Sequence, residues 1–339
     1  MRGARLLFGR YAEPQGYYLL DAETGEELPW PPFPEEQAAG TPGASLRPSP
    51  TGERILYTLW NGMAPPGGLG IGSVWSMNPD GSDKRQLAAS DERTYPANAI
   101  WSPDGREIAY LRVAAPTAQA VTHEQPVELW VMNADGSGQR MLARLPYADG
   151  RQETLRWLLD DHIYLVTLGA DLLRVSPRTG AVTRLAEGVE PCSFVISPGT
   201  QWIVVQNPAM GEARITSMGR RPLHLPSDLT WDPVGERAAY IRGPEAGAAE
   251  GIWSRALASG EERLLAHIRT SELRRSGMAW SPDGKMLAYE TVEGIHLLDV
   301  DSGAVTLAVR DPFAGMENPP YQRGVEFVTW VAVPADGGR

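Results

Sequence analysis

Acidic turns are the feature of this sequence that most resembles a metal site. Residues 78–83, 133–136 and 299–303 each combine aspartate with glycine. A calcium loop of the EF-hand type also needs a glutamate at its twelfth position and a helix on either side. Neither is present, whereas aspartate and glycine are ordinary residues of tight turns. We therefore predict that these segments are turns.

The histidines do not predict a metal centre. They occur singly, with no His-x-His or His-x3-His pair, at positions 123, 162, 224, 267 and 296. Histidine ligands of a zinc or similar ion usually stand at short, characteristic spacings. The sequence therefore predicts no metal site and no cofactor.

No spacing typical of a nucleophile or of a phosphate-binding loop is present. The glycine-rich residues 67–72 lie between two strand-like segments, with no helix whose N-terminus could bind a phosphate. The serine elbow Gly-x-Ser-x-Gly is missing. Cys192, the single cysteine, is more typical of a core position than of a nucleophile. We assign no catalytic residue from the sequence.

A repeated turn with its flanking strands organises the chain. Residues 280–303 predict a strand ending in tryptophan, a tight Ser-Pro-Asp-Gly turn, a second strand with a tyrosine, a third strand and another turn. Proline presets the turn backbone, aspartate caps it, and glycine accepts a positive φ. Further copies start at Pro48, Trp101, Trp157, Ile196 and Trp231.

Each copy is an antiparallel meander that cannot bury its two faces alone. These turns and strands resemble the TolB-type β-propeller repeat, a relative of the WD repeat that carries the Ser-Pro-Asp-Gly turn. The resemblance spans essentially the whole chain and implies four-stranded blades arranged in a ring. It says little about function, because similar propellers serve as binding platforms, as lyases and as gating domains of peptidases.

The two ends of the chain predict the number of blades. Residues 5–30 match the last full copy without a gap, with Tyr11 in the place of Tyr289, and residues 325–333 repeat a first strand. Pairing of these ends would remove open sheet edges. We predict one all-β domain over residues 1–339, a seven-bladed β-propeller of four-stranded antiparallel blades closed by its terminal strands, with six blades as the alternative. The other six blades are predicted at residues 46–88, 98–145, 154–186, 192–225, 227–268 and 276–311.

Long insertions are predicted on one face of this propeller, while the Ser-Pro-Asp-Gly turns stay short on the other. A contiguous group of long loops is a common location for function. We call these insertions the loop crown; they comprise residues 31–45, 61–73, 112–127, 243–251 and 312–324. Aromatic and methionine side chains are enriched in interface cores. The candidate binding residues of the crown are Trp30, Phe33, Trp60, Met63, Phe313, Met316 and Tyr321.

The charge balance argues against nucleic-acid and membrane partners. The 339-residue chain has 31 basic and 42 acidic side chains, a net charge of −11, and no block of Lys or Arg. No segment approaches the roughly 20 apolar residues that span a membrane, and residues 1–11 lack the apolar run of a leader. The expectation is a soluble, cytoplasmic protein, or a periplasmic or extracellular one if a leader has been removed.

These features favour a non-catalytic binding module that contacts a protein partner through the loop crown. Two alternatives stay open: an enzyme with a site in the central channel, such as a saccharide lyase or hydrolase, and a structural subunit of a larger assembly. Carboxylates or histidines converging on the channel would favour the enzyme. An apolar, aromatic crown over an uncharged channel would favour the binding module.

Overall fold

The computed structural model describes an all-β chain. The described residues are 4–10, 16–30, 46–61, 71–91, 93–114, 127–145, 155–167, 171–187, 194–196, 203–207, 212–217, 220–225, 229–244, 249–316 and 325–332. Helical structure within them is confined to a short 3-10 helix at Thr270–Glu272. None of these residues belongs to a helix long and apolar enough to cross a membrane.

The strands are short, as expected for a repeated meander. The first fifteen are β1 (Ala4–Arg10), β2 (Gly16–Asp21), β3 (Glu27–Trp30), β4 (Arg47–Pro48), β5 (Ile55–Asn61), β6 (Ile71–Met77), β7 (Arg85–Ala89), β8 (Thr94–Trp101), β9 (Glu107–Ala114), β10 (Val127–Asn133), β11 (Arg140–Leu145), β12 (Leu155–Leu158), β13 (His162–Val166), β14 (Leu172–Val175) and β15 (Val182–Ala186). The others are β16 (Phe194–Ile196), β17 (Ile203–Asn207), β18 (Glu212–Ser217), β19 (Arg220–Leu225), β20 (Leu229–Trp231), β21 (Arg237–Arg242), β22 (Gly251–Ala256), β23 (Glu262–His267), β24 (Leu273–Trp280), β25 (Met286–Thr291), β26 (Gly294–Asp299), β27 (Val305–Arg310) and β28 (Val325–Ala332).

The chain divides into two compact units, Met1–Pro32 with Val195–Arg339, and Phe33–Phe194. In the described part of the first unit, four-stranded sheets have the orders β28-β1-β2-β3, β16-β17-β18-β19, β20-β21-β22-β23 and β24-β25-β26-β27. In the described part of the second unit, the strand orders are β4-β5-β6-β7, β8-β9-β10-β11 and β12-β13-β14-β15. Each sheet is therefore the antiparallel meander that the repeat predicts.

Strands from the two ends of the chain share one sheet. β1 pairs antiparallel with β28, from Arg5 opposite Val331 to Arg10 opposite Val325, with a register shift after Leu7. The predicted pairing of the terminal strands is thus present, and β1 has a partner on both edges.

The predicted gapless match of this sheet to the last full copy is wrong in its second strand. Phe8 pairs with Tyr18, whereas Tyr289 pairs with His296 at the corresponding point of the later sheet. Phe8 therefore occupies the place that the prediction gave to Tyr11, which lies outside the described residues. The reason is that the connection from β1 to β2 is longer than that from β25 to β26.

The Ser-Pro-Asp-Gly turn is held by its own side chains. The hydroxyl of Ser281 donates to Asp283 Oδ1 at 2.6 Å and accepts the backbone N–H of Met286 at 2.9 Å. Gly284 supplies the positive φ of 70° that the turn needs. In the copy at Ser102, a bond from the serine hydroxyl lowers the pKa of Asp104.

Tryptophans at the ends of first strands link neighbouring sheets. The indole N–H groups donate to backbone carbonyl oxygens of the preceding sheet's first strand, from Trp101 to Arg47 at 2.8 Å, Trp280 to Thr230 at 3.3 Å and Trp330 to Ala279 at 3.0 Å. Trp280 is only 7% exposed. The prediction that it is a buried residue between repeat units is confirmed.

Candidate functional site

The two ends of the sheets carry different connections. We call the end with the Ser-Pro-Asp-Gly turns the turn end, and the opposite end, with the connections from second to third strand and from sheet to sheet, the loop end. At the turn end, backbone N–H groups of one turn donate to carbonyl oxygens of the other, from Ala134 to Arg106 at 2.8 Å and from Val300 to Lys285 at 2.9 Å. Long connections often carry function, so the loop end is the better place to look for a site.

The first strand of the sheet β24–β27 departs from regular pairing at its loop end. Leu273 pairs with Thr291 and Met278 with Tyr289, so four residues, 274–277, lie opposite Glu290 alone. Extra residues of this kind are frequent next to active sites, because they redirect side chains away from the regular pleat. Glu290 is 2% exposed, and a buried carboxylate is costly unless it is paired or hydrogen-bonded.

A buried ion pair lies at the same end of this sheet. Arg274 Nη2 is 2.9 Å from Asp311 Oδ2, with 22% of the arginine side chain and none of the aspartate side chain exposed. The backbone N–H of Asp311 donates to the carbonyl oxygen of Glu293 at 2.8 Å, which fixes the aspartate to the hairpin between β25 and β26. We call Arg274, Glu290 and Asp311 the loop-end cluster.

Asp311 also organises the turn that follows β27. Its Oδ1 accepts the backbone N–H of Phe313 at 2.8 Å, and its carbonyl oxygen accepts the N–H of Ala314 at 3.0 Å. One carboxylate thus holds both the Arg274 guanidinium and the turn that carries Phe313.

The entry to β24 is fixed from the preceding sheet. The Glu250 carboxylate accepts the backbone N–H and the hydroxyl of Thr270, both at 2.6 Å. These bonds, chiefly that from the hydroxyl, lower the pKa of Glu250. The carbonyl oxygen of Glu272 accepts the N–H of Val292 at 2.9 Å. The start of β24 is therefore tied to the hairpin beside the cluster.

The aromatic pair beneath the loop end is buried and uncharged. Tyr289 and His296 stack with ring centroids 5.2 Å apart. Burial raises the pKa of Tyr289 to about 12 and lowers that of His296, with a smaller opposing effect of Glu293. This pair packs the sheet and adds no charge to the cluster.

No three His, Cys, Asp or Glu side chains are grouped as metal ligands within the described ranges. The cluster contains two carboxylates and a guanidinium, and a guanidinium cannot ligate a cation. We therefore assign no metal ligand to it.

Of the predicted binding residues, the structure describes the side chains of Trp30, Phe313 and Met316. Trp30 is buried, at 4% exposure, with its ring edge-on to Tyr17, and is not the exposed side chain that a surface anchor requires. Phe313 is half-buried and Met316 is 52% exposed, so the turn after β27 brings two candidates beside the loop-end cluster. Trp60 lies in β5, but its side chain, like residues Phe33, Met63 and Tyr321, lies outside the described residues.

Sequence reasoning missed the loop-end cluster. One signal could have indicated it: β24 reads LRRSGMAW, with a polar run at its start. Several other first strands, such as β8, have no charged residue. Asp311, the partner of Arg274, follows β27 and stands at no characteristic spacing from the arginine.

Comparison with known proteins gives similarity in structure alone. The sequence matches no protein-family model and no curated protein. Among solved structures, oligogalacturonate lyase in complex with manganese is similar at a TM-score of 0.61 and 12% identity, over 88% of this chain and 87% of that one. An oligogalacturonate lyase from Vibrio parahaemolyticus is similar at a TM-score of 0.61 and 13% identity, over 88% of each chain. A periplasmic gluconolactonase from Pseudomonas aeruginosa is similar at a TM-score of 0.53 and 17% identity, over 89% of this chain and 94% of that one.

These comparisons correct the functional prediction. The three structures named above are enzymes, so the prediction of a non-catalytic binding module is wrong, and the alternative of a saccharide lyase or hydrolase is better supported. Identities this low establish a fold rather than a substrate, and the activity is therefore a proposal. What the comparisons establish is that the chain is an all-β protein of the β-propeller type.

Proposed function

We propose that the protein is an enzyme that acts on a sugar-acid compound, either eliminating across an anionic uronate unit or hydrolysing the uncharged lactone of a sugar acid. The observation that carries this proposal is the loop-end cluster: a guanidinium and two buried carboxylates where a first strand leaves regular pairing. The similarity to an oligogalacturonate lyase and a gluconolactonase, whose names both denote sugar acids, supports the substrate class.

The proposal includes the arrangement of the chain as one seven-bladed domain with a TolB-type repeat. Seven four-stranded sheets among the described residues support it, as does the sheet shared by β1 and β28. A first strand is innermost in a propeller blade. In that arrangement the start of β24, with Arg274, faces the channel end where the long loops gather.

Arg274 is proposed to bind the carboxylate of the substrate. A guanidinium has five N–H donors in a rigid plane and suits a carboxylate in a two-point contact. The bond to Asp311 uses one edge of that plane and fixes its orientation. In an elimination, charge develops on the substrate carboxylate as the adjacent C–H proton leaves, and a fixed cation stabilises that charge.

Glu290 is proposed as the proton acceptor. In an elimination it removes the proton next to the carboxylate, the C–H electrons form the double bond, and the sugar oxygen leaves with a proton from solvent. In a lactone hydrolysis it takes a proton from water as the water oxygen bonds to the acyl carbon. The bond between the acyl carbon and the ring oxygen then breaks, and the ring oxygen takes up that proton. A positioned base contributes about 10²–10⁴-fold to such steps.

The test is turnover of both substrate types by the purified protein. Oligogalacturonate is followed by the ultraviolet absorbance of the unsaturated product, and gluconolactone by acid release above the spontaneous rate, each with and without added divalent cations. We expect turnover of one of them, reduced at least about 10²-fold in Glu290→Gln. Arg274→Gln should raise KM and also lower kcat, because it removes both the contact to the substrate carboxylate and the charge that stabilises the transition state. Turnover of neither substrate by the wild-type protein would refute the proposal.

Arg178→Gln is the matched control. Arg178 also pairs with an aspartate, Asp161, but its side chain is 85% exposed and lies in the other unit. An equal loss of turnover in this variant and in Arg274→Gln would show that the effect does not come from the cluster.

A further inference from the structure

We infer that Phe313 is the stacking platform for a second sugar ring, next to the ring whose carboxylate Arg274 binds. This inference rests on the proposed function and adds a substrate subsite to it. The protein would accordingly prefer oligomers to single sugars.

The platform is held in place by backbone bonds. The N–H of Phe313 donates to Asp311 Oδ1, and the N–H of Met316 donates to the carbonyl oxygen of Phe313 at 3.2 Å. Asp311 is itself bonded to the hairpin between β25 and β26. A side chain that is ordered before binding loses less conformational entropy when a ligand arrives.

The turn that carries Phe313 presents apolar groups. Phe313 is half-buried, and Met316 is 52% exposed. A Cβ atom built on Gly315, whose φ is +80°, would meet no atom within 4 Å among the described residues beyond its chain neighbours. Apolar side chains are thus presented at the surface beside the loop-end cluster.

The chemistry of this turn complements that of the ion pair. A pyranose ring has an apolar face of C–H groups, which an aromatic ring can cover, and ligand sites generally combine such apolar contacts with a few placed polar groups. Asp311 contacts the Arg274 guanidinium through one oxygen and the backbone of Phe313 through the other. A carboxylate on one sugar and the C–H face of its neighbour could therefore be bound together.

The test measures binding rather than turnover. Titration calorimetry with galacturonate and its short oligomers is carried out on the wild type, Phe313→Ala and Phe313→Tyr. We expect Phe313→Ala to weaken oligomer binding about tenfold and to leave galacturonate binding unchanged, whereas Phe313→Tyr keeps the wild-type affinities. Val305→Ala is the control, because Val305 is also apolar and exposed, at 45%, but opens β27 at the turn end.

The outcomes separate this inference from the proposed function. Oligomer binding that depends on Phe313 without any turnover would support the subsite and refute the enzyme. Turnover with equal oligomer affinities of Phe313→Ala and the wild type would refute the subsite alone. An equal loss of affinity for galacturonate and its oligomers would also refute the subsite, since the ring would then act on the first sugar or on folding. Binding of neither probe by the wild type would refute the subsite and the uronate form of the proposed function, whereas the lactone form is tested by turnover of gluconolactone.

Discussion

At the scale of single residues, buried polar groups differ in whether they have partners. The hydroxyl of Tyr110 donates to Gln139 at 3.1 Å, and that of Tyr240 donates to Glu262 at 2.7 Å. His296 Nδ1 is buried and has no hydrogen-bond partner in the described part of the chain. Its ring is neutral, because burial holds its pKa below the ordinary 6.5, and a charge at this position would be poorly solvated.

His296 should therefore make stability depend on pH. Because its pKa is lower in the folded state than in the unfolded one, the unfolded chain takes up the proton first as pH falls. The neutral ring contributes fully to the free energy of unfolding above about pH 6.5, and this contribution is lost as the pH falls below that value. We expect the free energy of unfolding of the wild type to fall between pH 7 and pH 5 more than that of His296→Phe, which keeps the stack on Tyr289. Urea unfolding at a series of pH values measures both.

The control for this prediction is His267→Gln, since His267 is exposed. Glu250 and Asp299, two acids of the same unit, should not contribute in this window, because hydrogen bonds lower their pKa values below the ordinary 4.5 and 3.8. Parallel curves for the wild type and His296→Phe would mean that protonation of this ring is not linked to folding.

At the scale of elements, the strand from the C-terminal end completes a sheet that starts at the N-terminal end. Removal of residues 324–339 would leave β1 with an unpaired edge and would expose Leu6 and Phe8, which pack in a core with Trp330. Exposed strand edges promote aggregation. We expect this truncation to aggregate or to lose much of its thermal stability, as measured by light scattering and the melting temperature.

A shorter truncation provides the comparison. Removal of residues 333–339 alone keeps all of β28 and should leave the melting temperature nearly unchanged. If both truncations melt like the full chain, pairing of β28 with β1 contributes little to stability.

The turns and first-strand tryptophans of these elements could be predicted from sequence, because local residues determine them. Gly284 and Ser281 form a turn with their own neighbours, and a tryptophan such as Trp280 ends the first strand in several copies. The length of the β1–β2 connection could not be predicted, since a gapless match cannot reveal an insertion inside a hairpin.

The candidate site could not be predicted, because its parts are distant in sequence. Arg274 meets Asp311 from a different strand, and four residues lie opposite the buried Glu290 where β24 leaves the ladder. Phe313 was identified, but as an anchor for a protein. The charged groups next to Phe313 could not be predicted, because the strand pairing that brings them there leaves no characteristic spacing in the sequence.

At the scale of the whole molecule, net charge bears on the proposed substrate. The chain carries a charge of −11, which repels an anionic saccharide at long range, while Arg274 attracts it only at contact. Salt shortens the range of this repulsion, from about 30 Å at 0.01 M to about 8 Å at 0.15 M.

Turnover of an anionic substrate should therefore rise with salt. We expect kcat/KM for oligogalacturonate to increase from about 0.01 to about 0.15 M NaCl, and the rate for uncharged gluconolactone to stay level if that is the compound turned over. Initial rates at low substrate concentration measure this. A steep fall of kcat/KM with salt would show that a local positive field, rather than the net charge, governs association.

The pairing of β1 with β28 also constrains how the protein is made. A ribosome releases the chain from its N-terminal end, so β1 emerges early and lacks its second neighbour until residues 325–332 have followed. At about 5–20 residues per second, that interval is roughly 15–65 s. Throughout it, β1 has one unpaired edge on a nascent chain, open to chaperones and to the β1 strands of neighbouring ribosomes on the same message. Completion of this sheet therefore waits until residues 325–332 have been translated, and slow decoding of the codons between the two strands would prolong the exposure.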